Sequence, residues 1–347
     1  MRILVAGNMG YVGPAVVREL RRQHPDHIIE GFDNAYFGHC LTGTTRVPER
    51  FLDHQHFGDV RDLPPGFLEG FDAVVGLAAV SNDPMGDRYA AVTGEINQDA
   101  IVAMAEAAAR AGVKNFVFAS SCSVYGIASG PARTENDPVN PITAYAKSKI
   151  GTENGLARID TDMTITSLRF ATACGWSDRL RLDLVLNDFV ACALTLKKIT
   201  VLSDGTPWRP MIDTQDMARA IDWAAHRSAE NGGRNLIVNA GSDSSNYQIR
   251  DVAKAVAAAV PGTEVSINTD APVDSRSYRV DFAKFAGLAP NHQPKVSLAQ
   301  SIDELVAGFR RMGFADTDFR NSQLIRLKVL ERHINEGRLS QQLRWLQ

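Results

Sequence analysis

The sequence of 347 residues predicts an α/β protein built on a doubly wound parallel sheet, with a smaller mixed α/β lobe attached to it. Two observations support this prediction. Short apolar runs alternate with helical stretches through the first half of the chain, which is typical of strand–helix–strand units. A turn that contains Gly7, Gly10 and Gly13 separates the first apolar run from the first helical stretch. A glycine-rich turn in this place is characteristic of the Rossmann fold.

The apolar runs mark the expected strands of the sheet, and the stretches between them mark its helices. The expected strands cover residues 3–6, 28–32, 73–79, 115–120, 164–170 and 236–239. The expected helices cover residues 13–23, 98–111, 143–159, 215–229 and 249–260. Because helices alternate with strands, neighbouring strands are expected to run parallel.

The pattern loosens after Phe170, where Gly, Pro, Asp and Arg become frequent. We therefore expect two discontinuous units and a tail. Residues 1–170 and 211–240 form the nucleotide-binding domain, 171–210 and 241–313 form the substrate lobe, and 314–347 form a helical tail. The tail carries leucine and isoleucine at roughly helical spacing. We expect it to pack on the protein's own surface, with contact to a partner subunit as the alternative.

Composition and charge exclude several classes of function. The net charge of -3 does not indicate a positively charged surface for nucleic acid. No apolar run approaches the ~18 residues that a membrane span needs. Cysteines occur at four positions, in no metal or redox pattern. They are Cys40, Cys122, Cys174 and Cys192. We expect reduced thiols, no metal site and a cytoplasmic location.

The glycine turn predicts a cradle for a dinucleotide. Glycines let a pyrophosphate approach the backbone, and the N-terminus of the following helix supplies N–H donors. Asp33 stands about 20 residues after Gly13, where a carboxylate can accept hydrogen bonds from the adenosine ribose. A carboxylate there repels a 2′-phosphate, so NAD is expected rather than NADP. The alternative is that Asp33 and Asn34 are only a turn signal.

Tyr145 and Lys149 are expected on one side of a helix, because they are four residues apart. An ammonium near a phenol stabilises phenolate and should lower the pKa of Tyr145 toward neutrality, making it a general acid and base. Ser121 ends the preceding strand and could align the reacting hydroxyl. Ser120 and Ser123 compete for that role. The alternative for Tyr145 and Lys149 is a solvated helix face. The alternative for the serines is a merely polar strand end.

With these motifs the chain resembles the extended short-chain dehydrogenase/reductases, in their NAD-dependent epimerase/dehydratase branch. The resemblance covers Met1 to about Gly313. It rests on the runs Gly7 to Gly13, Asp59 to Asp62, Leu77 to Ala79, Ser120 to Gly126, Asn140 to Lys149 and Leu168 to Phe170. It implies a nucleotide-diphosphate sugar as substrate and a homodimer formed through the helices near 98–111 and 143–159.

The resemblance implies site residues position by position. Those for the cofactor are Gly7, Gly10, Tyr11, Val12, Gly13, Asp33, Asn34, Asp59, Val60, Leu77, Ala78, Ala79, Asn97, Tyr145, Lys149 and Phe170. Those for the substrate are Ser123, Asn187, Arg209 and Arg276. Those for catalysis are Ser121, Tyr145 and Lys149. Arginine forks suit the oxygens of a diphosphate, although Arg276 could equally be a surface ion-pair residue.

One departure from the family narrows the expected chemistry. Sugar 4,6-dehydratases carry Asp-Glu where this chain has Cys122 and Ser123. We expect Cys122 to point to the other face of its strand, and Cys174 to be a buried apolar residue. The leading hypothesis is an NAD-dependent nucleotide-sugar 4-epimerase. The alternatives are an NAD(P)H-dependent 4-keto-sugar nucleotide reductase and, less favoured, a non-catalytic NAD-binding regulatory protein.

Overall fold

The computed structural model of the protein describes residues 1–128, 130–270 and 277–346. Its strands are β1 (Arg2–Ala6), β2 (Ile28–Asp33), β3 (His54–Phe57), β4 (Ala73–Gly76), β5 (Asn115–Ser121), β6 (Thr164–Phe170), β7 (Thr172–Cys174), β8 (Lys198–Val201), β9 (Trp208–Asp213), β10 (Asn235–Ala240), β11 (Asn246–Gln248) and β12 (Glu264–Ile267). Its α-helices are α1 (Gly13–Gln23), α2 (Asp83–Arg88), α3 (Ala90–Gly94), α4 (Ala100–Arg110), α5 (Ala144–Leu156), α6 (Val185–Thr195), α7 (Thr214–His226), α8 (Ile249–Ala259), α9 (Ala283–Leu288), α10 (Leu298–Arg311) and α11 (Arg326–Asn335).

Within the described residues the main sheet has seven strands in the order β10-β6-β5-β4-β1-β2-β3. Every neighbouring pair in it runs parallel. The chain moves outward from β1 through β2 to β3, then returns to β4 and continues in the opposite direction. The predicted doubly wound parallel sheet is therefore confirmed, and its strand order reverses beside β1.

Both faces of this sheet are covered, as its first strand shows. Ile3 and Val5 lie in a core with Val16 and Leu20 of α1, whereas Leu4 lies in a second core on the other face. Successive strand side chains point to opposite faces, so an unbroken apolar run is what a doubly covered strand requires. Helix α7 covers the first face with α1, and helix α4 covers the second.

The smaller lobe contains two short sheets, β11-β9-β7 and β12-β8. Its core packs helices α6, α8 and α10 together. The sequence did not predict α6, α10 or these short strands, and it treated the residues around 204–210 as irregular although β9 begins at Trp208. Polar residues or a proline interrupt β7, β8 and β9, so these strands lack the unbroken apolar run that marks the strands of the main sheet. The domain boundaries drawn from the sequence remain a proposal.

Two predicted elements differ from those observed. The third apolar run was expected to be a strand through residue 79, but β4 ends at Gly76. The amides of Leu77 and Ala78 both donate to the Ala6 carbonyl, so the chain turns there instead of continuing the strand. The helix expected from residue 98 begins earlier, because α3 continues through the helical turn Glu95–Asp99 into α4.

The C-terminal tail packs on the protein's own surface, as predicted. Leu330 of α11, Leu339 and Leu343 are buried in the second core of the main sheet. In its described part the tail is helical over α11 and over a short 3₁₀ turn, Phe319–Asn321. After α11 the chain turns at Gly337, which has a φ of 68°, and forms a bridge between Leu339 and Trp345. No helix in the described ranges is both long and apolar enough to cross a membrane.

A buried ion pair joins helix α5 to the centre of the sheet. The Arg169 guanidinium donates to the Glu153 carboxylate at 2.7 and 3.0 Å, and both side chains are at most 6% exposed. The Ser120 hydroxyl donates to Glu153 at 2.5 Å, and Arg169 also donates to the Tyr125 hydroxyl. The ion pair thus connects α5, β5 and β6 in one network.

We expect Glu153→Gln to lower the free energy of unfolding by about 3–5 kcal/mol, because it leaves the Arg169 guanidinium buried without its counter-charge. The matched control is Glu19→Gln, which removes a surface ion pair with Arg22. It should cost less than about 1 kcal/mol. Urea unfolding of both variants measures the difference, and equal losses would contradict a special role for the buried pair.

Candidate active site

A cleft of about 1140 Å³ lies at the carboxyl edge of the sheet, where the strand order reverses. Ligands bind in this position in open α/β sheets. The structure brings most of the predicted site residues together here. They are Gly7, Gly10, Tyr11, Val12, Gly13, Asp33, Asn34, Val60, Leu77, Ala78, Ala79, Ser121, Ser123, Tyr145, Lys149, Phe170 and Arg209.

The glycine turn forms one wall of the cleft. Gly7 has a φ of 92°, and a Cβ on it would lie 2.5 Å from the Ala78 amide nitrogen, so only glycine allows this approach of two strand ends. Helix α1 begins at Gly13 with no side-chain cap on its first turn. Gly13 lines the cleft, so the positive end of the α1 dipole lies there and favours an anion. Pro14 has no N–H, and the Ala15 and Val16 amides donate to the Val12 carbonyl. The turn therefore fits the phosphates of a dinucleotide.

Asp33 lies at the end of β2 on the same wall. Its carboxylate accepts hydrogen bonds from the Met9 and Ala35 amides at 3.0 and 2.7 Å. Burial raises the pKa of this carboxyl, and the two amides oppose that rise. These bonds use one lone pair on each oxygen, which leaves further acceptor capacity for ribose hydroxyls.

Tyr145 and Lys149 project into the cleft from the first turns of α5. The Thr143 hydroxyl caps this helix by accepting a hydrogen bond from the Ala146 amide. The Lys149 ammonium donates to the Ala119 carbonyl at 2.7 Å and lies 5.3 Å from the centre of the Tyr145 ring. A hydrogen bond with Ser121 lowers the pKa of Tyr145, which places the serine hydroxyl beside the phenol.

The expected low pKa of Tyr145 is wrong for the protein alone. Burial raises the pKa of Tyr145 to about 12, against the opposing effects of Ser121 and Arg181. The ammonium of Lys149 points to the Ala119 carbonyl and not to the phenol. Burial also lowers the pKa of Lys149 to about 7, although the Glu153 carboxylate opposes that shift. The cleft therefore penalises charge on both groups.

The three neighbouring serines have different surroundings. The Ser120 hydroxyl is held by Glu153 and lies in the buried network. The Ser121 oxygen accepts a hydrogen bond from the Ser123 amide. The Ser123 hydroxyl lines the cleft, is buried and has no hydrogen-bond partner within the described part of the chain. An unpaired buried hydroxyl is costly, and a ligand in the cleft could satisfy it.

Three predicted contact residues, Asn97, Asn187 and Asp59, do not line the cleft. Asn97 is fully buried, and its amide bonds to both backbone groups of Val80 and to the Ser148 hydroxyl. Asn187 is also fully buried, and its amide bonds to Gly175, Tyr11 and Arg181. Their polar atoms are already used within the protein, so both residues support the site from behind.

Asp59 is the third such residue, since both of its oxygens accept hydrogen bonds from Arg61. Arg276 lies outside the described residues. The two predictions about cysteine are confirmed. Cys122 is fully buried in the core while its neighbours Ser121 and Ser123 line the cleft, and Cys174 is buried in the core of the smaller lobe.

The sequence did not indicate one cation that lies near Tyr145. Arg181 lines the cleft and lowers the pKa of Tyr145. Its guanidinium donates to Asp183 and to the hydroxyl of Ser81, which fix its orientation. It stands in an irregular segment between β7 and α6, with no motif around it. No sequence signal indicated that the fold would bring it to Tyr145.

The tail contributes a second part of the cleft that the sequence did not indicate. Arg320, Ile325, Arg326 and Leu330 line it. The last residues then hold the loop that follows β2. The Tyr36 hydroxyl donates to the Leu343 carbonyl, Arg61 donates to the same oxygen, and the Trp345 indole N–H donates to the Asn34 carbonyl at 2.7 Å. We call residues 338–346 the C-terminal hook.

Comparison with known proteins identifies related sequences. Residues 3–241 match the model of the NAD dependent epimerase/dehydratase family. A UDP-glucose 4-epimerase from Lactobacillus helveticus is 32% identical over 51% of this chain, which spans only about half (53%) of that relative's length. A dTDP-glucose 4,6-dehydratase from Streptomyces griseus is 26% identical over 89% of this chain and 94% of its own.

Solved structures share the fold. MoeE5 in complex with UDP-glucuronic acid and NAD superposes with a TM-score of 0.76 at 23% identity, over 90% of this chain and 99% of its own. A UDP-glucose-4-epimerase from Stenotrophomonas maltophila with bound NAD gives a TM-score of 0.76 at 21% identity, over 90% of this chain and 99% of its own. These likenesses show the same architecture.

We expect the stability of the apo-protein to rise with pH through Lys149. Its pKa is about 7 when folded and about 10.4 when unfolded. Between these values the unfolded state binds more protons, so the free energy of unfolding increases as the pH rises. Lys149→Met should remove this increase, whereas Lys147→Met, an exposed position on the same helix, should keep it. Urea unfolding at about pH 7 and about pH 9 measures both slopes, and equal slopes would contradict the buried lysine's role.

Proposed function

The chain belongs to the NAD dependent epimerase/dehydratase family, and on that premise we propose that it is a nucleotide-sugar 4-epimerase. The observation that supports this most is the cleft that collects Ser121, Tyr145 and Lys149 beside the glycine turn. Cys122 and Ser123 stand where 4,6-dehydratases carry an acidic pair, and Cys122 is buried away from the cleft. The site therefore offers proton transfer at one hydroxyl and no second acid–base pair at those positions.

NAD is the cofactor of this family, and the cleft has groups that suit it. We assign the pyrophosphate to the glycine turn at the N-terminus of α1, and the adenosine ribose to Asp33. Val60 and Asn34 would line the adenosine end. When bound, NAD supplies an acceptor and donor of hydride at the sugar C4, and its positive charge favours phenolate nearby.

Tyr145 is the group that we assign to proton transfer. With a pKa of about 12 its phenol is protonated at neutral pH, so it is ready to donate a proton to a 4-keto oxygen. For removal of a proton from a 4-hydroxyl, the phenolate must be stabilised by the positive groups around it. Arg181 is one such group. We assign to Ser121, which forms a hydrogen bond with Tyr145, the alignment of the reacting oxygen with the phenol.

The substrate is a nucleotide-diphosphate sugar in this proposal. Arg209 lines the cleft from β9, and its guanidinium lies 5.6 Å from the centre of the Tyr278 ring. A guanidinium suits the oxygens of a diphosphate. Arg320 lines the same cleft, where it forms an ion pair with Asp188 at 2.8 Å. Ser123, whose hydroxyl is unpaired and buried, would bond a sugar hydroxyl. The homodimer remains part of the proposal.

The function is tested by incubating the protein with UDP-, GDP- and dTDP-sugars without added cofactor. We expect a product of unchanged mass whose C4 is inverted, as resolved by chromatography and NMR. Tyr145→Phe should lower kcat by about 10²–10⁴-fold, because the proton carrier is lost. Tyr247→Phe, at a tyrosine that does not line the cleft, should keep the activity.

Other products would contradict the epimerase proposal and identify the alternative. Loss of water from the sugar would identify a dehydratase. Stoichiometric oxidation of added NADH with a 4-keto-sugar would identify a reductase. Unchanged behaviour of Tyr145→Phe in every assay would identify a protein that binds NAD without catalysis.

The C-terminal hook is expected to retain the cofactor. Trp345→Ala removes the hydrogen bond to the Asn34 carbonyl, which is worth about 1 kcal/mol and so about fivefold in affinity. NAD should therefore dissociate several-fold faster from this variant, as followed by filtration after dilution. The control is Leu346→Ala, since Leu346 is 53% exposed. Equal release rates for the two variants would exclude a role for Trp345 in holding the cofactor.

A further inference from the structure

Three histidines meet at the edge of the sheet opposite the cleft. His24 follows helix α1, His27 precedes β2, and His226 is the last residue of α7. The ring centre of His24 lies 4.5 Å from the ring centre of His27 and 4.2 Å from that of His226. One nitrogen from each ring lies within 4.8 Å of the others. No pattern in the sequence indicates this group, because about 200 residues separate His226 from the other two histidines.

A buried carboxylate fixes the orientation of two of these rings. Asp222 on α7 is 4% exposed, and its Oδ1 lies 2.8 Å from His24 Nε2 and 3.2 Å from His226 Nδ1. The Asp222 carbonyl also lies 2.8 Å from His226 Nδ1. These nitrogens therefore carry the N–H that Asp222 accepts. The other nitrogen of each ring, His24 Nδ1 and His226 Nε2, is left with a free lone pair.

Two ring nitrogens in the group are buried and have no hydrogen-bond partner among the described residues. They are His27 Nδ1 and His226 Nε2. Buried polar atoms without a hydrogen bond are rare, and a bound ion is one of the few explanations for such atoms. Two in one cluster of imidazoles indicate a ligand that accepts electron pairs from nitrogen.

We propose that His24, His27 and His226 form a binding site for a divalent metal of the zinc type. Neutral imidazole is a common ligand of Zn²⁺, at an N–Zn distance of about 2.0–2.1 Å. A carboxylate that accepts the remote N–H of ligating histidines is the usual support for such a site, and Asp222 is placed to do this. Water would complete the coordination.

Metal binding requires the rings to turn out of their stacked arrangement. Tetrahedral coordination at about 2.1 Å places the ligand nitrogens about 3.4 Å from one another. In the structure the three candidate nitrogens lie up to 4.8 Å apart, so they must move closer. The side chains have room to move, because His24 is 29% and His226 is 25% exposed. His292, whose Nε2 lies 3.5 Å from Asp222 Oδ2, shares the same carboxylate from a neighbouring loop.

The bound metal would join the ends of two helices. Helix α1 runs from the glycine turn to His24, over 11 residues or about 16 Å. Helix α7 packs beside it in the same core layer. A metal at their C-terminal ends would fix them to each other and stabilise the sheet face on which they lie. The site is remote from the cleft, so this proposal does not depend on the proposed function.

The test uses the full chain with its purification tag removed and its metals stripped by a chelator. Titration with Zn²⁺ by calorimetry should give one site per chain, and Zn²⁺ should raise the melting temperature. His226→Gln and His27→Gln should each lower the affinity for Zn²⁺ by more than 100-fold, and Asp222→Asn should lower it by about 10–100-fold. The control His54→Gln, an exposed histidine of β3, should bind as the wild type does.

Absorption of the Co²⁺-loaded protein gives a second measurement, because nitrogen coordination shifts the visible bands of this ion. Bands that appear in the wild type and in His54→Gln, but not in folded His27→Gln, would support the site. Circular dichroism confirms that each variant is folded. The proposal is overturned if wild-type Zn²⁺ binding is absent, or is equal in His27→Gln, His226→Gln and His54→Gln.

Discussion

The close approach of β1 and β4 at their carboxyl ends is the constraint on which the rest of the molecule depends. These strands are neighbours in the sheet, but the chain leaves them toward opposite edges. The crossovers must therefore diverge, and a crevice opens between them. The turn at Gly7 packs directly against the backbone at Ala78, which closes the base of the crevice. Every residue assigned to cofactor or substrate is arranged around this point.

Stability and function are coupled through helix α5. Tyr145 and Lys149 face the cleft from one side of this helix, and Glu153, one turn further, forms the buried pair with Arg169 of β6. A buried ion pair contributes little net stability compared with apolar packing, but it is strongly directional. We therefore regard it as the contact that fixes the rotation of α5. That rotation decides whether the phenol meets the serine at the end of β5.

Desolvation sets the electrostatics of the cleft. It raises the pKa of Tyr145 and Asp33 and lowers that of Lys149, so that each group is held away from its ionised form. Such a site is poised for a charged ligand, because the charges and hydrogen bonds of that ligand offset the penalties. The buried Ser123 hydroxyl, which has no hydrogen-bond partner among the described residues, also favours a polar ligand in the cleft.

The sequence by itself determined the fold class and the centre of the site, because those features are local. Apolar runs, the glycine turn and the four-residue spacing of Tyr145 and Lys149 each depend on residues close together in the chain. The tertiary structure alone decided that Asn97 and Asn187 are buried supports, since their partners come from distant segments. It likewise decided that Arg181 reaches Tyr145, that the C-terminal hook holds Asn34, and that His226 meets His24. Contacts between separate segments of the chain leave no periodic trace in a single sequence, and burial, which sets the pKa values, exists only once the chain has folded.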